Sequence, residues 1–185
     1  MIIETIFSSL SPSGQPNFAP MGILWGEEAI IVRPFRDTTT CRNLLASGYG
    51  VVNLTDDVQS FVQTALYHAV LPHFPARAVP GVVFQDASAW REVEVIDETG
   101  SPERAEVRCR VLYRGWQKEI LGPCRAHSAV IEATILATRL HMFPQKTVFS
   151  ELEQYREIVQ KTGDEKEKIA FEQVYEYVGR RIRHD

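Results

Sequence analysis

Between Arg33 and Asp56 the chain reads RPFRDTTTCRNLLASGYGVVNLTD, which sets Thr38, Thr39 and Thr40 among Arg33, Arg36 and Arg42. Hydroxyls and guanidinium groups gathered where a helix begins have the chemistry of an anion site. The backbone N–H groups of a first helical turn lack partners, and the helix end carries a partial positive charge. Asp37 or Thr38 is the expected N-cap, the threonines fill the first turn, Leu44 and Leu45 face inward, and Gly48 ends the helix. Phosphate is the anion this pattern favours.

Other chemistries find less support. Gly48-Tyr49-Gly50 does not open a dinucleotide fingerprint, because Asn53 stands where the last glycine belongs and a strand follows. The chain has no Gly-Lys-Ser, Gly-Lys-Thr or Gly-x-Ser-x-Gly, so neither a P-loop nor a hydrolase elbow is expected. His68, His73 and His127 lack partners at metal-ligand spacing, and the pairs Asp56-Asp57 and Glu27-Glu28 fall at cap or turn positions. Cys41, Cys109 and Cys124 are an odd number at unrelated spacings and read as reduced structural thiols. General acid–base catalysis has no clear candidate, and no metal site is expected.

Composition narrows the setting. The 185 residues are 44% hydrophobic and 24% charged, ordinary for one globular domain with a helical appendage. The formal net charge of −4 does not favour a nucleic-acid partner. Arg180, Arg181, Arg183 and His184 form a basic tail that reads as a solvated helix C-terminus. No apolar run reaches the roughly 18 residues that cross a bilayer, and Glu4 follows the first residues without a basic segment, so a cytoplasmic protein with no membrane partner is expected.

The elements that must position Arg33–Asp56 follow from periodicity and punctuation. Ile2 to Ser8, Phe18 to Trp25 and Ala29 to Val32 read as strands, the last two joined in a hairpin at Gly26-Glu27. Tyr49 to Leu54 is a buried β-branched run. A helix capped by Asp56 or Asp57 carries Val58, Phe61, Val62, Ala65, Leu66 and Ala69 at helical spacing until Pro72 stops it. Pro72, Pro75 and Pro80 hold an irregular connection. Trp90 to Ile96 and Ala105 to Tyr113 are extended, and the second alternates apolar with charged residues, which suggests antiparallel pairing with one wet face. Then come helices over His127 to Phe143, from the capping-box spacing at Ser150 to about Thr162, and over Asp164 to Arg183 with Ile169, Val174, Val178 and Ile182 inward. Strands first and helices later give an α+β protein whose strands close into a small antiparallel barrel. The expected division is 1–123 for the barrel and 124–185 for a helical C-terminal extension.

Asn17-Phe18-Ala19-Pro20-Met21-Gly22 places ladder-weakening residues in a strand, where exposed backbone can face a flat ligand. With Arg36-Asp37-Thr38, Asn43-Leu44 and Gly48-Tyr49-Gly50-Val51-Val52-Asn53, this segment resembles the FMN-binding split-barrel superfamily. Its flavin-reductase members carry Asn-x-Ala-Pro, then Lys-Asp-Thr-x-x-Asn-(Ile/Leu), then Gly-x-Phe-x-Val-Asn. Within that superfamily the chain looks most like an uncharacterised archaeal and bacterial family with a helical C-terminal extension. The resemblance implies an FMN-binding split barrel that forms a homodimer with FMN at the interface. Asn17, Ala19, Pro20, Met21 and Gly22 would lie along the isoalloxazine, and Arg33, Arg36, Asp37, Thr38, Thr39 and Thr40 would form the phosphate region, with Asn43 and Asn53 completing the motifs. Arg36 replaces the usual lysine and adds a bidentate fork. The implied activity is an oxidoreductase that passes hydride or electrons between a reduced nicotinamide or other donor and a small-molecule substrate. The alternatives are a flavin carrier without catalysis, or a barrel for another phosphorylated ligand such as pyridoxal phosphate, or for a nucleic acid. Trp116 is either a packed core residue or a wall over a bound ring.

Overall fold

The computed structural model describes residues 1–120 and 122–182, and the chain divides into two compact units. The first is Met1–Thr55 with His68–Ile120, and the second is Asp56–Tyr67 with Leu121–Asp185. Arg183 and His184 of the expected basic tail lie outside the described residues.

The first unit is a closed barrel of six antiparallel strands: β1 (Ile2–Leu10), β2 (Pro16–Leu24), β3 (Ala29–Val32), β4 (Tyr49–Leu54), β7 (Ala89–Gly100) and β8 (Ala105–Trp116). Their order around the barrel is β1-β2-β3-β8-β7-β4, closed by the pairing of β4 with β1. The α+β expectation of a small antiparallel barrel therefore holds. The interior is built by alternation: Ala105, Val107 and Cys109 of β8 are buried with Phe7, Ile23, Ile30, Val32, Val52 and Val93, while Arg108 and Arg110 point to water. Two register shifts between β7 and β8, at Glu92/Val93 and Val95/Asp97, skip Leu112 of β8 and Ile96 of β7 and bend the pair around the barrel.

Helix α1 (Thr39–Ser47) packs on β1 and β2 and ends at Gly48, whose φ of 74° is the left-handed cap expected there. Leu44 is buried as expected, but Leu45 is 40% exposed. In a helix of nine residues only one stripe faces the barrel, and Cys41 and Leu44 fill it.

The proline-rich connection contains a feature that periodicity did not indicate, a small sheet of β5 (His73–Pro75) and β6 (Val82–Phe84). Three-residue strands leave no readable alternation. Val83 and Phe84 are nevertheless buried, and Glu92 of β7 is buried beneath this segment. The Glu92 carboxylate accepts from Arg77 N–H at 2.9 Å, from Ala78 N–H and from Trp90 Nε1 at 3.1 Å, so the buried charge is satisfied three times over.

The second unit has its own core, formed by α2 (Val58–Leu66), α3 (Arg125–Ala137), α4 (Gln145–Thr162) and α5 (Glu165–Ile182), with Val62, Val130, Leu152, Phe171, Val174 and Val178 among its buried residues. Four expectations are corrected here. Helix α2 stops before Ala69, because the chain turns at Tyr67 and at His68, whose φ is 52°. Helix α3 ends at Ala137 and a 3-10 turn covers Leu140–Met142, while α4 begins at Gln145 after Pro144 and leaves Ser150 inside the helix. Pro144 stands at the N-cap with extended backbone, where its missing N–H costs no helical hydrogen bond, and the helix starts directly after it. Ile169 is 43% exposed, whereas Val174 and Val178 are fully buried. No helix among the described residues is long and apolar enough to cross a membrane.

Gly50 on β4 sits where a Cβ would strike the ring of Phe7, which is fully buried. Gly50→Ala is expected to destabilise the protein by about 1–3 kcal/mol through overpacking, read as a lower urea midpoint with an unchanged slope.

Candidate anion site at the β3–α1 turn

Leaving β3, the chain does not turn directly into α1 but first docks on the tip of the β7–β8 hairpin. Ala105 N–H donates to Pro34 O at 3.0 Å, Arg36 N–H donates to Glu103 O at 3.0 Å, and Phe35 bridges to Arg104. The turn then closes on itself. Thr38 is the N-cap of α1: its hydroxyl donates to Phe35 O at 2.6 Å and accepts from Cys41 N–H at 3.3 Å. Of the two expected caps, Thr38 takes the role and Asp37 does not; the Asp37 carbonyl instead accepts from Arg42 Nη1 at 2.5 Å. The N–H groups of Thr39 and Thr40 have no intrahelical partner at this position.

The arginines reach this turn from different sides. Arg33 donates through Nε and Nη2 to Glu106 Oε2, both at 2.7 Å. Arg36 donates through Nε to Ser101 O at 2.7 Å and through Nη2 to Glu98 at 2.6 Å. Glu98 pairs across the ladder with the fully buried Val107, and Glu106 pairs with Thr99 on the outer face. The two ion pairs therefore hold the turn from opposite faces of the hairpin. The Arg36 and Glu98 charges also act on Cys41 in the first turn of α1, whose thiol is pushed up by burial and drawn partly back by Arg36. Cys109, deep in the barrel, is pushed up to about 12 by burial and is inert as a nucleophile near neutral pH.

The remaining motif residues are structural ties more than surface groups. Thr40 is buried and accepts from Asn17 Nδ2 at 3.1 Å, and Asn43 is buried and donates to Ser9 Oγ at 3.3 Å. These bonds fix α1 against β2 and β1. Asn53 is fully buried: Nδ2 donates to Ile6 O at 2.9 Å and Ser8 Oγ at 3.0 Å, and Oδ1 accepts from Phe84 N–H at 2.9 Å. It joins β4 to β1 and to β6. On β2, Met21 turns toward the barrel core, whereas Ala19, Pro20 and Gly22 are half-buried.

Beside the Arg33–Glu106 pair lies a cleft of about 450 Å³ on the outer face of β2, β3, β8 and β7. Leu24 pairs with Ile31, Ile31 with Arg108 and Arg108 with Asp97, so one cross-strand row supplies an apolar floor and a polar wall. Sequence reasoning missed Asp97, Thr99, Glu106 and Arg108 in this cleft, since they lie more than 40 positions from the motif and read as the wet face of two strands. Trp116 is 71% exposed at the end of β8, so it is not a packed core residue. Among the described residues, no group of three or more His, Cys, Asp and Glu side chains could hold a metal ion.

A family model described as protein of unknown function (DUF447), N-terminal domain, matches residues 3–118, and its C-terminal counterpart matches residues 124–176. This chain belongs to the DUF447 family. Among solved structures it is similar to an FMN-bound DUF447 protein from Methanosarcina mazei, with 27% identity and a TM-score of 0.82 over 95% of this chain and 94% of that one. The fold is also that of a 2-nitrobenzoate 2-nitroreductase from Pseudomonas fluorescens, at 16% identity and TM-score 0.54 over 62% of this chain and 64% of that one. Flavoredoxin from Methanosarcina acetivorans shares it at 12% identity and TM-score 0.54, over 65% and 72% of the two chains. No curated protein matches. The barrel of this DUF447 chain is thus the FMN-binding split barrel expected from its motifs.

Two substitutions separate the cap from the tie. Thr38→Ala removes the N-cap and is expected to cost about 1 kcal/mol. Asn53→Ala leaves buried backbone groups of Ile6 and Phe84 without partners, at about 1–3 kcal/mol for each, so it is expected to shift the urea midpoint well beyond the Thr38 variant.

Proposed function

We propose that this DUF447 protein binds FMN, with the phosphate at the β3–α1 turn, and works as an FMN-dependent oxidoreductase on a small-molecule substrate. The observation that carries the reading is the FMN bound to a family member that aligns over nearly the whole of both chains.

The residues present fit the group. A phosphate ester needs charge-assisted donors, and the turn offers first-turn N–H groups, the Thr39 hydroxyl and guanidinium ends beside an exposed Phe35. A fused ring needs an apolar seat with a few polar contacts, which the adjoining cleft over Leu24 and Ile31 supplies. Flavin brings the redox chemistry when bound, so the protein needs no acid or nucleophile of its own beyond groups that orient the ring and exclude water. That accounts for a turn built from arginines and threonines. Nitroreductase and flavoredoxin on the same fold support the assignment to redox chemistry. The working unit in this reading is a homodimer with FMN at the interface. Ile2, Ile96, Leu112 and Trp116 of the barrel unit, each at least 40% exposed, are consistent with a surface that a second copy covers.

The test is a flavin titration of the purified protein, followed by anaerobic addition of NADH and NADPH. FMN is expected to bind with saturable quenching of its fluorescence, and the visible absorption of its oxidised form is expected to bleach with at least one donor. Protein that takes up no FMN overturns the reading. FMN that binds but never bleaches leaves a flavin carrier. Sedimentation is expected to give twice the 21.0 kDa mass of the chain, and a monomer at all concentrations removes the dimer.

A further inference from the structure

Four arginines surround the β3–α1 turn, and they differ in what their guanidinium groups already hold; Arg42 spends Nη1 on Asp37 O and Nη2 on Thr39 Oγ1. Arg33 and Arg36 each donate to a glutamate through Nη2, so much of their charge is answered within the fold. Arg104, from the tip of the β7–β8 hairpin, has no carboxylate partner among the described residues. Its Nε donates to Arg33 O at 2.8 Å, and its guanidinium carbon stands 5.0 Å from the centre of the Phe35 ring. Those contacts fix the orientation of the plane, and among the described residues neither Nη group of this exposed side chain has a hydrogen-bond or ion-pair partner. That is a pre-organised fork: the entropy of ordering a long side chain is already lost, and the edge suited to two parallel bonds with a phosphate is free.

The backbone that carries the fork is equally constrained. Arg104 N–H donates to Ser101 Oγ at 3.0 Å, and Ser101 N–H donates to Arg104 O at 2.9 Å. Gly100 has a φ of 114°, and a Cβ there would run into the Arg104 carbonyl. The hairpin tip therefore holds one shape, and the bonds of Ala105 to Pro34 and of Arg36 to Glu103 register it against the turn.

We infer that Arg104, together with its Phe35 platform, is a phosphate-binding residue of this site and the principal guanidinium contact of the anion. The inference rests on the FMN reading, and it moves the main charged contact from the motif arginines to a residue on a distant hairpin. Arg33 and Arg36, held by Glu106 and Glu98, act mainly to fasten the turn to the hairpin.

The experiment compares FMN with riboflavin, which has the same ring and no phosphate, in wild-type protein and in Arg104→Ala, Arg104→Lys and Arg139→Ala. Arg139 is exposed in the helical unit and controls for net charge. Wild type is expected to prefer FMN to riboflavin. Arg104→Ala is expected to weaken FMN at least tenfold and to leave riboflavin within twofold. Arg104→Lys, which keeps the charge but loses the fork and the Nε anchor, is expected to recover only part of the loss, and Arg139→Ala is expected to change neither ligand. A wild type that prefers FMN while Arg104→Ala binds it equally well overturns this inference alone. Equal losses for FMN and riboflavin also overturn it, since they report a damaged ring site. A wild type that binds neither flavin removes the FMN reading, and the inference with it.

Discussion

Everything at the candidate site depends on the docking of the β3–α1 turn onto the tip of the β7–β8 hairpin. Residues 33–38 form no regular element and supply few buried apolar groups, so their shape must come from hydrogen bonds made elsewhere. Pro34 O, Arg36 N–H and Arg33 O are all held by residues 103–105, and Thr38 then closes the turn on Phe35 O. A loop tied at successive backbone groups loses its conformational freedom on folding and not on ligand binding, and for this reason an anion meets donors already in place. The two arginine–glutamate pairs add to this from opposite faces. Because they are about one-third to one-half exposed, their worth lies in orientation more than in stability.

The barrel makes that docking possible by geometry. Strands β3 and β8 pair through Val32 and Val107, and the chain continues past the end of β3 in the same direction, so residues 34–36 meet 103–105 where the ladder would have extended. On the same sheet, the outward row through Leu24, Ile31 and Arg108 places an apolar floor next to the turn. The phosphate region and the cleft are thus neighbours because β3 is short. A longer strand would pair these residues as ordinary ladder and leave no turn.

Much of this could be read from the sequence. Strand β8 is long enough for alternation to show, and Val107 and Cys109 against Arg108 and Arg110 give away both the strand and its wet face. Thr38 and Gly48 bound α1 by local chemistry alone, so both survive in the structure. What failed depends on tertiary context. Leu45 and Ile169 are apolar residues at the margin of a helical stripe, and only the neighbouring element decides whether the margin is covered. Ser150 carries a capping-box spacing inside a helix that Pro144 had already started. The β5–β6 sheet is too short to have a period, and its stability comes from contacts with buried groups such as Asn53 and Ser8. Arg104 was illegible for a different reason, since nothing local distinguishes it from the arginines of β8 that follow it.

The motif itself divides once its atoms are placed. Asn17, Thr40, Asn43 and Asn53 are the residues that make the pattern specific, yet their side chains are engaged with one another's elements: β2 to α1, α1 to β1, and β4 to β1 and β6. A buried amide with several partners tolerates few replacements, because each substitution strands a donor or acceptor away from water. Such a residue identifies a fold as sharply as a ligand contact does, without touching the ligand. The surface groups that face solvent at the turn, Arg33, Phe35, Thr39 and Arg104, are under no such packing constraint. It follows that the buried half of the pattern reports the barrel and the way α1 sits on it, while the chemistry of recognition rests with the exposed half. Of that half, Phe35 and Arg104 meet only because two segments nearly 70 positions apart share a ladder, as their bridge shows.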